Sequence, residues 1–422
     1  MGYDLISWRK NLYIIWLAQL IAMIGMSMVV PFLPLFIKEL GVTDISELKR
    51  WSGLAVSGVF ITAFIATPLW GWLGDRVGKK SMVIRAIFGL AVSQLLIGLS
   101  ANVYQLFVFR MVQGALSGFI AASLALVSSN TPKENSGYAI GFLASSTAAG
   151  NVLGPFVGGL LADSFGYRNV FFITAVLCFI SGILVLFFVH EVNKETNRKN
   201  NILDNYLFVF QNHNLKYAML TLIISAAAIS MIQPMFALFI EQKIGLVPYI
   251  ATITGAIFGI IGVFQVISSP MWGKRNDKKG YRKNITFALL GAGIGYALHV
   301  ATFSAWQLIP IRAFLGFCIG GVLPSLYSFI STNTPSERKG GVMGIASSFT
   351  LFGNLLGPIS SGYISSYTSI DFIFILSGII LALGAYVAYK NLKDRRIIKH
   401  EERPIELPYP EQEKKVITID PL

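Results

Sequence analysis

The feature that most constrains this chain is a succession of long apolar runs between about Asn11 and about Lys390. A helix needs roughly 20 apolar residues to cross about 30 Å of hydrocarbon, because it rises about 1.5 Å per residue. Twelve runs reach this length, and their centres lie near Ile24, Ile61, Leu90, Ser117, Ala148, Ser181, Ala228, Gly259, Gly293, Cys318, Phe349 and Leu381. With 54% hydrophobic and 13% charged residues, the chain has too few polar side chains for the surface of a soluble globule. The sequence predicts an all-α membrane protein with twelve transmembrane helices.

The net charge of +13 is explained by membrane topology better than by a nucleic-acid partner. If the N-terminus is cytoplasmic, the loops after even-numbered helices and the two termini hold most of the 34 Lys and Arg residues. The loops on the other face hold Lys38, Lys49, Arg50, Arg168 and Lys243. The positive-inside rule then predicts an even number of helices with both termini cytoplasmic. The first apolar run is too long for a signal peptide, so we expect it to be helix 1.

The chain also repeats itself at a shift of about 202 residues, in the same order along six helices. The matched positions are Pro31 with Pro234, Pro68 with Pro270, Trp70 with Trp272, Asp75 with Asp277, Gly78 with Gly280, Arg110 with Arg312 and Gly150 with Gly353. The repeat predicts two pseudo-symmetric six-helix bundles, 1–190 and 218–390, with a substrate site between them. We expect 191–217 to be a cytoplasmic linker, containing an amphipathic surface helix, and 391–422 a cytoplasmic tail.

The loop after helix 2 combines glycines, one carboxylate and several basic residues at a helix end. Its members are Gly71, Gly74, Asp75, Arg76, Gly78, Lys79 and Lys80, and Asp277 repeats the carboxylate in the second half. We expect Asp75 to bind the positive N-terminus of a neighbouring helix in one state and release it in the other, as a conformational latch. The alternative is a turn that only obeys the positive-inside rule.

Arg110 is the most informative single residue, because a guanidinium at membrane depth costs at least about 2.5 kcal/mol and must find polar partners. Gln113 lies one helical turn away, so the two can form a polar cluster. Arg110 is therefore a functional candidate, the alternative being a structural arginine that ties helices together; Arg312 shares both interpretations. Further polar candidates for a central cavity are Gln19, Gln233 and Tyr327.

Helix 5 carries small residues and a proline, namely Gly150, Gly154, Pro155, Gly158 and Gly159. Such a helix packs closely on its neighbours and bends at the proline. It can act as a gate, or it can be a generic packing surface.

These residues resemble the major facilitator superfamily, specifically its drug:proton antiporter branch with twelve helices. The likeness lies in the loop Gly71–Lys80, in Arg110 with Gln113 and Gly114, and in the helix 5 pattern from Gly150 to Gly159. It implies an Asp75 latch, an Arg110 linked to proton transfer and a central cavity lined by helices 1, 4, 7 and 10. It further implies a bacterial multidrug or tetracycline-type efflux protein of the inner membrane.

Our functional hypothesis is proton-coupled efflux of small amphipathic compounds by a protein that functions as a monomer in the lipid bilayer. The alternative on the same fold is uptake or facilitated transport of a metabolite. The sequence contains no metal-ligand cluster, nucleophile motif or phosphate loop, so we expect neither an enzyme nor a bound cofactor, only the proton as coupling ion. Cys178 and Cys318 lie in apolar runs and are expected to pack as small hydrophobes.

One departure from the branch concerns the coupling acid, because we find no carboxylate at mid-membrane depth. The acidic residues nearest to the helices lie at their ends: Asp75, Asp163, Glu241 and Asp371. The unperturbed pKa of a histidine such as His299 suits proton coupling. However, we expect helix 9 to be peripheral and His299 to serve packing. A cavity with arginines and no acid should favour neutral or anionic substrates over dications.

Overall fold

The computed structural model describes residues 2–191, 202–245 and 247–394, and within these ranges the regular structure is entirely helical. Eleven segments of the described chain are long and apolar enough to cross a membrane. A twelfth helix, Tyr281–Val300, has the necessary length but is less apolar, since Asn284, Tyr296 and His299 lie within it. We number the twelve segments spans 1 to 12: Trp8–Glu39, Ile45–Gly71, Lys79–Gly98, Val103–Asn130, Ser136–Phe165, Tyr167–Phe188, His213–Ile244, Ile250–Lys279, Tyr281–Val300, Ala305–Thr332, Lys339–Tyr367 and Ile370–Asn391. The predicted all-α membrane fold is confirmed.

Three spans are interrupted where proline or glycine breaks the helical hydrogen bonding. Span 1 consists of the helix Gly2–Met28 from Trp8 onward, a 3₁₀ turn Val30–Phe32 and the helix Leu33–Glu39. Span 7 consists of His213–Met231, Gln233–Met235 and Phe236–Ile244. Span 4 consists of Val103–Ala115 and Phe119–Asn130, separated by Gly118 at φ 107°. The helix of span 2 continues to Val77.

The sequence repeat is also a repeat of contacts. Trp70 donates its indole N–H to the carbonyl of Ala115 at 2.6 Å, and Trp272 donates to that of Phe317 at 2.8 Å. Glu191, three residues after span 6, accepts the backbone N–H groups of Lys79 and Lys80 at 2.9 and 3.2 Å. Asp394 after span 12 accepts those of Tyr281 and Arg282 in the same way, at 2.8 and 3.1 Å. An acidic side chain therefore caps the N-terminus of the third helix of each half.

The predicted linker and tail lie partly outside the described residues, namely at 192–201 and 395–422. The surface helix Ile202–Gln211 is described, and it packs on the second half. Arg338 donates to the carbonyl of Asp204 at 3.3 Å and lies over the ring of Phe208 at 5.0 Å.

The two ends of the bundle carry different turns. The linker side holds Glu191, Asp394 and the turns after the even-numbered spans, at Gly78, Lys133–Asn135, Gly280 and Ser336–Arg338. The far side holds the turns after the odd-numbered spans, at Gly41, Leu99–Asn102, Gly166 and Gly245 and before Ala305 and Ile370.

Candidate functional site

Spans 2 and 11 join the two halves by close backbone contact near the far side. A Cβ on Gly53 would overlap the carbonyl oxygen of Pro358 and lie 2.9 Å from the Cα of Gly362. Nearer the end, Lys49 Nζ donates to the carbonyl of Ser365 at 2.8 Å, and Arg50 Nε donates to the hydroxyl of Ser366 at 3.1 Å. Packing this tight excludes water from this side of the interface.

Spans 5 and 8 form the equivalent contact on the other side of the pseudo-symmetry axis. A Cβ on Gly255 would overlap the carbonyl oxygen of Pro155, and one on Gly159 would overlap that of Ala251. The carboxylate of Asp163 accepts the backbone N–H of Thr252 at 2.7 Å, its hydroxyl at 2.6 Å and the N–H of Ala251 at 3.3 Å. A charge from one half thus binds the positive helix N-terminus of the other half.

An ion pair completes this far-side seal. Lys38 Nζ lies 2.6 Å from Glu241 Oε2, with side chains 37% and 19% exposed. The two residues occupy equivalent positions of the repeat, since each follows the broken region of span 1 or span 7. Equivalent residues meet at a pseudo-two-fold axis, so the pair marks where that axis leaves the far side.

Toward the linker side the same spans diverge. Glycines continue along the facing surfaces, yet a Cβ on any of four of them would have no heavy atom of the described chain within 4 Å: Gly71, Gly141, Gly273 and Gly344. The halves are therefore joined at the far side and splayed at the linker side.

A cavity of ≈ 340 Å³ lies at the apex of this wedge. Most of its lining is apolar: Met23, Met26, Val30, Phe60, Pro155, Ile229, Ile232, Phe258, Ile261, Gly262 and Ile319. Its polar lining is Ser27, Asn151, Gln233, Gln265, Tyr296 and Arg312. The lining, drawn from spans 1, 2, 5, 7, 8, 9 and 10, contains no carboxylate of the described residues. Volume and composition both fit a small-molecule site.

Arg312 is held on the cavity wall by span 8 and by aromatic rings. Its Nε and Nη2 donate to the carbonyls of Ile257 and Phe258 at 3.1 and 3.2 Å. Its guanidinium carbon lies 4.0 Å from the centre of the Phe236 ring and 5.1 Å from that of Phe258. Cation–π contacts of this kind fix the guanidinium plane.

Arg110 lies at the equivalent position of the first half but not on the cavity lining. Its Nε donates to the carbonyl of Ala55 at 3.0 Å, and its Nη1 donates to Gln113 Oε1 at 2.8 Å. Both side chains are buried. The polar cluster proposed from their spacing is therefore present, and it joins spans 2 and 4.

Of the six polar candidates, the structure brings Gln233 and Arg312 to the cavity. Gln19 Nε2 instead donates to the hydroxyl of Thr147 at 2.8 Å, which joins span 1 to span 5. The Tyr327 hydroxyl lies 2.9 Å from that of Thr350, between spans 10 and 11. Tyr296 lines the cavity although only Tyr327 was a candidate, because the sequence does not show which face of its helix a tyrosine occupies.

The residues of the proposed latch surround the linker-side end of span 2. Gly78 begins the turn at φ 107°, a conformation that favours glycine. The Lys80 ammonium donates to the carbonyl of Leu186 at 2.8 Å. Arg76 and Asp277 are exposed, while a Cβ on Gly74 would lie 3.0 Å from Met82 Cγ. The side chain of Asp75 lies outside the described residues.

The glycines of span 5 face two different neighbours. Cβ atoms on Gly150, Gly154 and Gly158 would overlap span 1, at Met23, Ser27 and Met28 respectively. Gly159 and Pro155 face span 8 of the other half. The pattern therefore serves packing within the first half and the seal between the halves.

Outside the cavity, His299 is buried against the ring of Phe374, with ring centroids 5.0 Å apart. Its Nδ1 lies 2.8 Å from the carbonyl oxygen of Gly295. Cys178 and Cys318 are buried free cysteines. Among the described residues no group of His, Cys, Asp and Glu could hold a metal ion.

Comparison with known proteins decides the family. A family model described as Major Facilitator Superfamily matches residues 15–264 and 218–420. The chain belongs to the Major Facilitator Superfamily. Multidrug resistance protein MdtG of Salmonella dublin is 34% identical over 394 residues, which cover 93% of this chain and 98% of that protein. The MdtG of Salmonella schwarzengrund (strain CVM19633) matches to the same extent.

Solved structures of other superfamily members share this fold. A bacterial homologue of the human lysosomal transporter Spinster, in an inward-facing and occupied conformation, gives a TM-score of 0.74 at 14% identity, covering 90% of this chain and 95% of that one. The human organic anion transporter MFSD10 gives 0.67 at 16% identity, covering 90% and 99%. The predicted membership is confirmed, and the chain is a multi-pass membrane transporter rather than an enzyme.

Proposed function

We propose that this member of the superfamily exports small amphipathic compounds from the bacterial cytoplasm, driven by the proton gradient. The observation that carries the proposal is the cavity between the halves, closed at the far side and approached from the linker side. A compound that enters it from the linker side can leave on the far side once the seal opens and the wedge closes. The likeness to proteins named for multidrug resistance supports export of drugs.

The orientation follows from charge. Lysines and arginines cluster at the linker-side turns, among them Lys79, Lys80, Lys278 and Lys279. The positive-inside rule supports a cytoplasmic linker side with both termini inside, in the inner membrane. Since one chain contains the whole cavity, we propose a working monomer.

Protons are proposed to act on the carboxylates that hold the far-side seal. Glu241 and Asp163 lie at the end that faces the acidic side of the membrane, and each binds a partner from the other half. Both contacts join the two halves, so both must break when the far side opens. No cofactor is needed in this scheme beyond the proton as coupling ion.

Transport direction in vesicles tests the proposal. Inside-out vesicles containing the protein should accumulate a transported compound when their lumen is made acidic, and a protonophore should abolish the accumulation. Uptake into right-side-out vesicles whose exterior is made acidic would instead support metabolite import. A drug-susceptibility profile of a host with and without the gene identifies compounds to test.

A further inference from the structure

The polar groups of the cavity are distributed unequally between the two halves. The first half contributes Ser27 and Asn151, which are neutral. The second half contributes the only cation of the described lining, Arg312, together with Tyr296. These two side chains are only 1% and 2% exposed, so bulk water solvates neither of them well.

Arg110 and Arg312 each donate two hydrogen bonds, from Nε and from one terminal nitrogen, but only Arg312 lies on the cavity wall. In the first half, Nη1 of Arg110 donates to Gln113, three residues further along the helix. At the corresponding position the second half has Leu315, which cannot accept a hydrogen bond. The second terminal nitrogen of Arg312 donates to the carbonyl of Phe258 instead. Its Nη1 has no hydrogen-bond partner within the described chain, and neither does the Tyr296 hydroxyl.

The charge of Arg312 also lacks a counterion on the cavity wall. The acidic groups of the seal are already bound: Glu241 to Lys38, and Asp163 to the N-terminus of span 8. A buried charge without a partner is costly, and a ligand that supplies the partner recovers that cost.

From these observations we propose that Arg312 and Tyr296 form the anion-binding end of the substrate site. The site would take amphipathic compounds that carry a carboxylate, which accepts hydrogen bonds from Nη1 and from the Tyr296 hydroxyl. The apolar part of the compound then packs among Met23, Met26, Ile229 and Ile261. This inference rests on the proposed export function and narrows its substrates to anions.

Three probes that share one fluorophore test the charge preference of the unmodified protein. Dansylglycine is an anion, dansylglycinamide is neutral, and dansylcadaverine is a cation at neutral pH. Fluorescence titration of the purified protein in nanodiscs should give the tightest binding for dansylglycine, by on the order of ten- to hundredfold over the amide, the range expected for hydrogen bonds to a charged group. Equal binding of the anion and the amide, or preference for the cation, would overturn the proposal.

Substitutions then test which residues cause the preference for the anionic probe. Arg312→Gln should weaken binding of dansylglycine far more than binding of dansylglycinamide, so that the two affinities become similar. Tyr296→Phe, which removes a single hydroxyl, should weaken anion binding severalfold and provides an independent test if Arg312→Gln fails to fold. Matched controls are Arg168→Gln, at the far side, and Tyr386→Phe, which is 59% exposed. Retention of the anion preference in folded Arg312→Gln would refute the assignment.

The same probes separate this inference from the proposed function. If vesicles export the neutral or cationic probe as well as the anion, export stands and the anion site fails. If the anion binds at Arg312 but no probe is moved by a proton gradient, the site stands and export fails.

Discussion

Gly255 offers a direct perturbation of the far-side seal. A Cβ at this position would overlap the carbonyl oxygen of Pro155 and lie 2.8 Å from its carbonyl carbon and 3.4 Å from the Cα of Phe156. All three atoms belong to the backbone of the opposite half, so no side-chain rotation relieves the overlap. Overpacking of this kind costs about 1–3 kcal/mol. Because the clash exists only while the seal is closed, Gly255→Ala should shift the equilibrium toward the far-side-open state by about 5- to 150-fold.

Cysteine labelling measures this shift. Met26→Cys, in a background without Cys178 and Cys318, places one thiol on the cavity wall. Its reaction with a membrane-impermeant maleimide added outside whole cells should accelerate in the Gly255→Ala protein until the open state predominates. Gly273→Ala is the matched control, because its Cβ meets no heavy atom of the described chain within 4 Å. An unchanged labelling rate in folded Gly255→Ala protein would refute the assignment of Gly255 to the seal.

Three further predictions concern the ion pair, the buried arginine and the span 5 packing. Lys38→Met leaves Glu241 without its partner and should weaken the seal by up to about 1 kcal/mol, which faster labelling of Met26→Cys would report. The double substitution Lys38→Glu with Glu241→Lys should restore the slow labelling rate. Arg110→Ala should abolish proton-driven transport, and normal export by that variant in proteoliposomes would remove Arg110 from the mechanism. Gly154→Leu should prevent folding, because even a Cβ overlaps Ser27 and lies 2.9 Å from the carbonyl oxygen of Ile24. The yield of monodisperse protein tests this, and the control is Gly141→Leu, where a side chain has open space.

The fold was predictable because it is determined by features that extend over long stretches of sequence. Runs of about 20 apolar residues leave few alternatives to membrane helices, and a repeat that keeps its order along six helices leaves few alternatives to two halves. The weakest span illustrates the limit of composition. Tyr281–Val300 is a helix that packs between its neighbours, yet polar residues within it lower its apolar character.

The candidate site was harder to predict because sequence gives depth in the membrane but not the direction in which a side chain points. Gln19 and Gln233 have the same side chain, and both lie within apolar spans. One binds Thr147 within the first half, and the other lines the cavity. Only packing between spans separates these outcomes. The Lys38–Glu241 pair does have a sequence signal, because the two residues occupy equivalent positions of the repeat and carry opposite charges. Equivalent positions near a pseudo-two-fold axis are expected to meet.

The capping residues Glu191 and Asp394 show a similar limit. Each lies a few residues after the last span of its half, where the sequence suggests only the start of a polar segment. Their role depends on the return of the chain to the N-terminus of the third helix in each half. Contacts of this kind require the three-dimensional arrangement.

The central claim is that one cavity is exposed to the two sides of the membrane in turn. Spin labels at Ile45 and Tyr367 report the separation of the halves at the far side, and labels at Val77 and Lys339 report it at the linker side. Distance distributions for both pairs should be collected in nanodiscs with and without substrate at several pH values. The account predicts reciprocal changes, in which the far-side distance lengthens as the linker-side distance shortens. Distances that stay fixed under all conditions, or that lengthen together, would contradict it.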